Sequence, residues 1–269
     1  MGVINVTPDS FSDGGRWLDP ETAIAHGLSL VAQGADLIDV GGESTRPGAI
    51  RIDANEELRR VIPVVAGLAS EGIPVSVDTM RAEVAERALA VGASLINDVS
   101  GGRADPRMMD IAVAGGSPIV LMHWRGHSDG MQKLTTYDDV VGDVVRELSV
   151  QIDAGLAAGI PESRIVVDPG LGFSKTADQN WVILAHLDAF MELGFPVLVA
   201  ASRKRFLGEL LAPAEGELRP TNEREAATVA VSTMAAAAGA WAVRVHESRA
   251  SADAVRVVAR MREAEEEDA

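Results

Sequence analysis

The sequence contains no cysteine, which excludes a disulfide framework and any thiolate metal site. Basic residues are scarce: 24 Lys and Arg stand against 40 Asp and Glu, for a net charge of −16 and a pI near 4.7. That balance argues against a nucleic-acid or membrane partner, since either needs a basic face. No apolar run is long enough to cross a bilayer. Asn5, Asp9 and Asp13 break up the apolar stretch that a signal peptide would need, so a cytoplasmic protein is expected. No histidine pair has metal-ligand spacing, and His26 and His186 read as surface or packing residues within helices. No GxGxxG opens the first helix, and GLGFSKT (170–176) lacks the GxxxxGK[ST] spacing of a phosphate loop.

What is present is a regular alternation. Eight short apolar runs, GVINV (2–6), DLIDV (36–40), PVSVD (74–78), SLIND (94–98), PIVLM (118–122), RIVVD (164–168), PVLVA (196–200) and WAVRV (241–245), read as strands buried on both faces. Between them, 21–35, 82–93, 139–159 and 224–240 carry helical period and run into glycine. Eight β/α units without a composition break predict one (β/α)₈ TIM barrel over residues 1–269. The alternative is a doubly wound sheet, which would need a reversal of strand order. The acidic end EAEEEDA (263–269) reads as a solvated, frayed tail.

Nearly every strand ends in a polar group: Asn5, the Gly41–Arg46 segment, Asp78, Asn97 with Asp98, His123, Asp168, Ser202 to Lys204, and Arg244 with His246. Barrel enzymes build their sites at that rim. Carboxylates there are costly unless paired, and a ring edge with neighbouring N–H groups would pair them bidentately, while an asparagine both donates and accepts. Asp78, Asn97 and Asp168 are therefore read as ligand-binding, although the aspartates could instead cap the following helices, as Asp78 ahead of TMRAEVAE would. Asp98, ahead of the VSGG turn, is read as a cap. Lys204, Arg244 and His246 end strands seven and eight, the usual anion position in such barrels, and Arg46 could join them. Arg203 and Arg205 read as solvated surface. Any metal would be a hard cation held by oxygen atoms and by the ligand's own phosphates, as Mg²⁺ usually is.

NVTPDSFSDGG (5–15), GGESTRPG (41–48), SVDTMR (76–81), INDVSGG (96–102), DPGLGF (168–173), SRKRFLG (202–208) and RVH (244–246) resemble, in order, the signature segments of the dihydropteroate synthase family. MHWRG and GAWAVRVHE are most similar to its actinobacterial branch. The resemblance implies a folate-pathway transferase that joins 4-aminobenzoate to (7,8-dihydropterin-6-yl)methyl diphosphate, is inhibited by sulfonamides, uses Mg²⁺ near Asn5 and forms homodimers. It implies a pterin site of Asp78, Asn97, Met122, Asp168, Lys204 and Arg244. The diphosphate falls to Asn5, Thr45, Arg46, Arg244 and His246, and 4-aminobenzoate to Phe11, Thr45, Pro47, Phe173, Ser202 and Lys204. Asp78, Lys204, Arg244 and His246 are the implied catalytic set. TPDSFSDGG (7–15) becomes a lid, with Phe11 as an apolar wall and Asp9 and Asp13 facing metal or diphosphate. Family members usually carry residues before the first strand, within which this sequence begins.

Two other readings stay open at this point. A pterin-barrel methyltransferase would share the pterin pocket, but the cations Arg46, Arg244 and His246 argue for a diphosphate. A silent paralogue would bind pterin without turnover.

Overall fold

The computed structural model describes residues 1–7, 19–44, 49, 51–127, 130–214 and 216–267. Strands β1 (Gly2–Asn5), β2 (Ile38–Gly41), β3 (Val75–Asp78), β4 (Leu95–Asp98), β5 (Ile119–Met122) and β6 (Ile165–Asp168) form one parallel sheet in chain order. β7 (Leu198–Val199) and β8 (Ala242–Val243) form a parallel pair. Single parallel bridges join Val167 to Val197 and Gly2 to Val245. The Val167 N–H donates to Pro196 O at 2.9 Å, and the Val3 N–H to Val245 O at 3.0 Å. These bonds close the ring, so the eight-stranded barrel is the fold, and no reversal of strand order occurs.

Helices α1 (Pro20–Ala32), α2 (Ala54–Ser70), α3 (Ala82–Ala90), α4 (Met108–Gly115), α5 (Val140–Ala157), α6 (Ala177–Ala185), α7 (Asp188–Met191), α8 (Arg205–Leu210), α9 (Glu225–Ala238) and α10 (Ser248–Glu267) follow between and after the strands. Local chemistry sets their starts. Asp19 accepts from the Thr22 N–H at 2.9 Å ahead of Pro20, and Asp53 accepts from Glu56 N–H at 2.9 Å. Thr176 and Gln179 form a reciprocal capping box at α6. The acidic end differs from expectation. Residues 263–267 are exposed but continue α10 as helix, since glutamate is a good helix former. Arg260 also lies 3.6 Å from Glu263 and from Glu267.

The two-residue period of the strands sorts their side chains into two environments. Ile4, Ile38, Val40, Val75, Val77, Ile96, Ile119, Leu121, Ile165 and Val167 join one aliphatic core with the helices. The intervening positions face the barrel axis. Low in the barrel these are Met1, Leu95, Val120, Val166 and Leu198, a separate apolar cluster. One step further along the strands the axial positions turn polar: Asn5, Asp78, Asn97 and Asp168. A barrel with a dry floor and a polar layer above it offers a site only at its C-terminal mouth.

Candidate active site

Parity alone separates binding candidates from structural groups. Asn97 shares the parity of the axial Leu95, whereas Asp98 shares that of Ile96 and faces the helix layer. Asp98 is fully buried and accepts from the Ser100 N–H at 2.8 Å, the Ser100 hydroxyl at 2.7 Å and the Gly102 N–H at 2.8 Å. It is the cap expected of it; burial still pushes its carboxyl up to about 6. Asp78 does not cap α3, whose first N–H groups include Ala82 donating to Asp105 at 2.9 Å.

The centre of the polar layer is Asp39, which sequence reading passed over. It lies in mid-strand of β2 and is completely buried. Its Oδ2 accepts from Arg244 Nε at 2.6 Å and from Asn97 Nδ2 at 3.0 Å. Arg244 spans two carboxylates, because its Nη2 also donates to Asp78 Oδ2 at 2.8 Å. Three expected pterin residues thus meet around an unexpected fourth. Burial raises the Asp78 carboxyl above its ordinary value, opposed by Arg244 and reinforced by Asp39. Arg244 keeps the cluster from carrying two uncompensated negative charges.

Asp168 ends β6 and accepts from the Gly170 N–H at 2.7 Å. Burial raises its carboxyl, and the nearby Lys204 ammonium pulls it back. Lys204 immediately precedes α8; its ammonium donates to the Leu171 carbonyl and sits 4.8 Å from the centre of the Phe173 ring, a cation–π contact. Burial lowers its pKa to about 8. Met122 packs with Met80 and Val99, and Phe173 and Trp124 flank the same cluster. This apolar patch beside the polar layer suits the face of a flat ring.

Ser202 and His246 meet at a third point of the mouth. The His246 backbone N–H donates to Ser202 Oγ at 3.2 Å, and Ser202 Oγ lies 2.9 Å from His246 Nδ1. The hydroxyl donates to a neutral imidazole and accepts from an imidazolium, so the contact orients the ring in both charge states. Arg203 corrects the sequence reading: it is buried, with Nε 3.1 Å from Glu225 and an Nη 3.2 Å from Glu247. Its left-handed backbone, φ 57°, turns the side chain inward. Arg205 is exposed, as expected, and pairs with Glu209. Phe11, Thr45, Arg46 and Pro47 lie outside the described residues, as do Asp9 and Asp13.

The base of the second βα loop is held by groups that sequence reading also missed. Arg81 donates to Glu43 at 2.7 Å and to Glu57, and Thr79 donates to Glu57 at 2.6 Å. Glu43, Glu57, Asp78, Thr79, Met80 and Val99 line a small cavity next to the polar layer. Burial raises the Glu57 carboxyl. Among the described residues, no three His, Asp or Glu side chains could hold a metal ion. Oxygen donors of the Asn5 type, one per strand end, suit a hard cation that draws most of its ligands from a phosphate ligand and water. Among the described residues, no helix is long and apolar enough to cross a membrane.

The family of pterin binding enzymes matches residues 1–246. A dihydropteroate synthase of Mycobacterium leprae is 54% identical over 96% of this chain and 91% of that one. The Yersinia pestis dihydropteroate synthase, solved as a sulfonamide drug complex, superposes with a TM-score of 0.92 at 40% identity, over 98% of this chain and 94% of that one. The Xanthomonas albilineans dihydropteroate synthase, solved with 4-aminobenzoic acid, gives 0.88 at 47% identity, over 97% and 92%.

Proposed function

This chain belongs to the pterin binding enzyme family, and we propose that it acts as a dihydropteroate synthase. It would condense 4-aminobenzoate with (7,8-dihydropterin-6-yl)methyl diphosphate, giving 7,8-dihydropteroate and diphosphate. The observation that carries this reading is the axial polar layer, in which Asp39, Asp78, Asn97 and Arg244 are joined by contacts of 2.6 to 3.0 Å. Its carboxylates and amide offer acceptors and donors to the amide and amino edge of a pterin, and the Met80, Met122 and Phe173 patch offers cover for the ring face.

The chemistry asked of these residues is electrostatic. The bond between the pterin methylene and the diphosphate oxygen breaks, with both electrons leaving on oxygen. The positive charge spreads into the electron-rich dihydropterin, where the Asp78 carboxylate offsets it. Arg244, fixed by Asp39, keeps a planar guanidinium available to the ring. His246, oriented by Ser202, and the expected Arg46 and Thr45 would meet the departing diphosphate. The aromatic amine then attacks the methylene with its lone pair. The anilinium it forms is acidic enough to lose its proton to water or diphosphate, so no strong base is required. Mg²⁺, with Asn5 among its ligands, would neutralise negative charge on the leaving group.

For the acceptor, Phe173, Ser202 and Lys204 are the proposed contacts among the described residues. Sulfonamides, which resemble 4-aminobenzoate, should compete with it. A homodimer is also proposed. Met234 on α9, Trp241, and Val257 and Met261 on α10 are exposed apolar side chains close in sequence to the packed α9 and α10 pair. A cytoplasmic location accords with the acidic, cysteine-free composition. The test is to supply purified protein with the pterin diphosphate, Mg²⁺ and 4-aminobenzoate. Equimolar diphosphate and dihydropteroate, both dependent on 4-aminobenzoate, are expected. Binding without either product would overturn the proposal.

A further inference from the structure

GLGFSKT has no phosphate-loop spacing, yet its lysine is one of the most tightly held polar side chains in the chain. Lys175 is 4% exposed. Its ammonium donates to Gly170 O at 3.0 Å, to Phe173 O at 3.2 Å and to His123 Nδ1 at 2.9 Å. Three donors meet three acceptors, which is what a buried ammonium needs.

The acceptor side is equally determined. His123 follows β5 with the outward parity of Ile119 and Leu121, and it is fully buried. The Glu147 carboxylate on α5 can only accept, so the ring proton sits on Nε2, 2.9 Å from Glu147 Oε2, and Nδ1 of the neutral ring accepts from Lys175. Burial lowers the pKa of Lys175 itself to about 7. Arg125 Nε is 3.0 Å from the same carboxylate and its guanidinium lies 3.7 Å from the Tyr137 ring centre. Tyr137 in turn donates to Ser174 O at 3.0 Å. Burial keeps the imidazole neutral, lowering its pKa to about 4.

What this network grips is the loop after β6. That loop takes left-handed backbone at Gly170 (φ 69°), Gly172 (φ 77°) and Ser174 (φ 49°); glycine adopts it freely, but Ser174 carries a Cβ and needs the surrounding contacts to hold it there. It is also compressed. A Cβ on Gly170 would lie 2.4 Å from His123 O, and one on Gly172 would lie 3.0 Å from Lys204 Cδ. The two carbonyls that Lys175 holds flank Leu171, whose carbonyl accepts from Lys204, and one belongs to Phe173, whose ring faces the Lys204 ammonium. Lys175 makes no hydrogen bond to the polar layer, yet the two loop carbonyls it holds, at Gly170 and Phe173, bracket the segment that carries the proposed acceptor contact Phe173 and the Leu171 carbonyl that accepts from Lys204.

We propose that Lys175 is a positioning residue for the 4-aminobenzoate subsite: seated on His123, it fixes loop 170–174 so that Phe173 and Lys204 meet the acceptor. The proposal rests on the synthase reading above. Of the implied pterin residues, Asp78, Asn97 and Arg244 are held by contacts on other strands, so the acceptor side of the site depends on Lys175 more than the pterin side does.

The test compares Lys175→Met, which keeps the stem and removes the donors, with wild type. The KM for 4-aminobenzoate should rise about tenfold, the scale at which supporting contacts act on the groups they orient. The Kd for the pterin diphosphate, measured by calorimetry with Mg²⁺, should stay within about twofold, well below that supporting-contact scale. Should Lys175→Met fail to fold, His123→Leu and His123→Asn serve instead. Leucine removes the acceptor and should reproduce the KM effect; asparagine offers an oxygen near the Nδ1 position and should restore most of it. Phe173→Ala is the control for the underlying reading. If it leaves the 4-aminobenzoate KM unchanged, the subsite assignment fails, and the role of Lys175 with it. If Phe173→Ala raises that KM while the Lys175 or His123 variants shift both substrates equally, or neither, Lys175 is a structural staple and the proposal is overturned.

Discussion

Asp39 holds Arg244 from below, its Oδ2 accepting from Nε at 2.6 Å. The guanidinium reaches Asp78 with its other arm at 2.8 Å, so one cation is shared between a carboxylate that is sealed in and one that faces the mouth. Asp39 is fully buried and Arg244 only 18% exposed at its side chain. In such a pair the burial cost is offset only while both charges are present.

Asp39→Asn should therefore impair function although residue 39 lies below the mouth. With the lower charge gone, Arg244 turns wholly to Asp78 and neutralises the carboxylate that a pterin edge would use. The Kd for the pterin diphosphate is expected to rise about tenfold or more, and stability to fall by about 2–5 kcal/mol, as when one partner of a buried pair is removed. Calorimetry and urea unfolding measure the two effects. An unchanged Kd would mean that Asp39 does not control Arg244.

Asp98 and Asp78, both aspartates at strand ends, should separate cleanly. Asp98→Ala leaves the Ser100 and Gly102 N–H groups without acceptors and should cost about 1–3 kcal/mol in unfolding experiments. Its KM values, measured well below the lowered Tm, should match wild type. A selective rise in the pterin diphosphate KM would contradict the capping role.

Lys204 gives a pH dependence. Its folded pKa is lowered by burial to about 8 from an ordinary 10.5. Below pH 8 folded and unfolded chains both carry the proton. Between about 8 and 10.5 the unfolded chain keeps a proton that the folded one has released, so stability relative to Lys204→Met should rise with pH across that window and be flat below it. Activity should move oppositely, kcat/KM falling with an apparent pKa near 8 as the free enzyme loses the cation. Lys204→Arg should lack that descending limb. A profile that is flat from pH 7 to about 10, through that whole titration range, would exclude the ammonium from substrate recognition.

Metal removal should act on only half of the site. Chelation is expected to stop turnover, while binding of a pterin that lacks the diphosphate stays unchanged, because the polar layer supplies its own charges. Loss of both would indicate a metal within the ring pocket.

The barrel was legible because strands buried on both faces read as unbroken apolar runs, and each strand end announced itself with a polar residue. Helix ends were less so: the periodic segments 21–35, 82–93, 139–159 and 224–240 give helices that stop two to three residues earlier, since the final residues belong to the turns. Asp39 escaped notice because it sits inside an apolar run rather than at its end. Its parity with Gly41, two residues on, was the available signal. Arg203 reads as surface within SRKR, and only the left-handed backbone there turns it toward Glu225 and Glu247. The Glu43, Glu57 and Arg81 cluster joins residues 14 to 38 positions apart, and Lys175 reaches His123 across 52; no local pattern marks such pairings.

The most direct test is to titrate the pterin diphosphate, with Mg²⁺, into wild-type protein and into Asp78→Asn. The amide keeps the shape of the carboxylate but replaces acceptor oxygen with an N–H donor, against the N–H groups of the pterin edge. A loss of about 100-fold or more in affinity is expected, the scale of a charged contact turned into a mismatched one. Affinity unchanged from wild type would mean that the pterin does not bind in the axial polar layer, and the proposed site would be wrong.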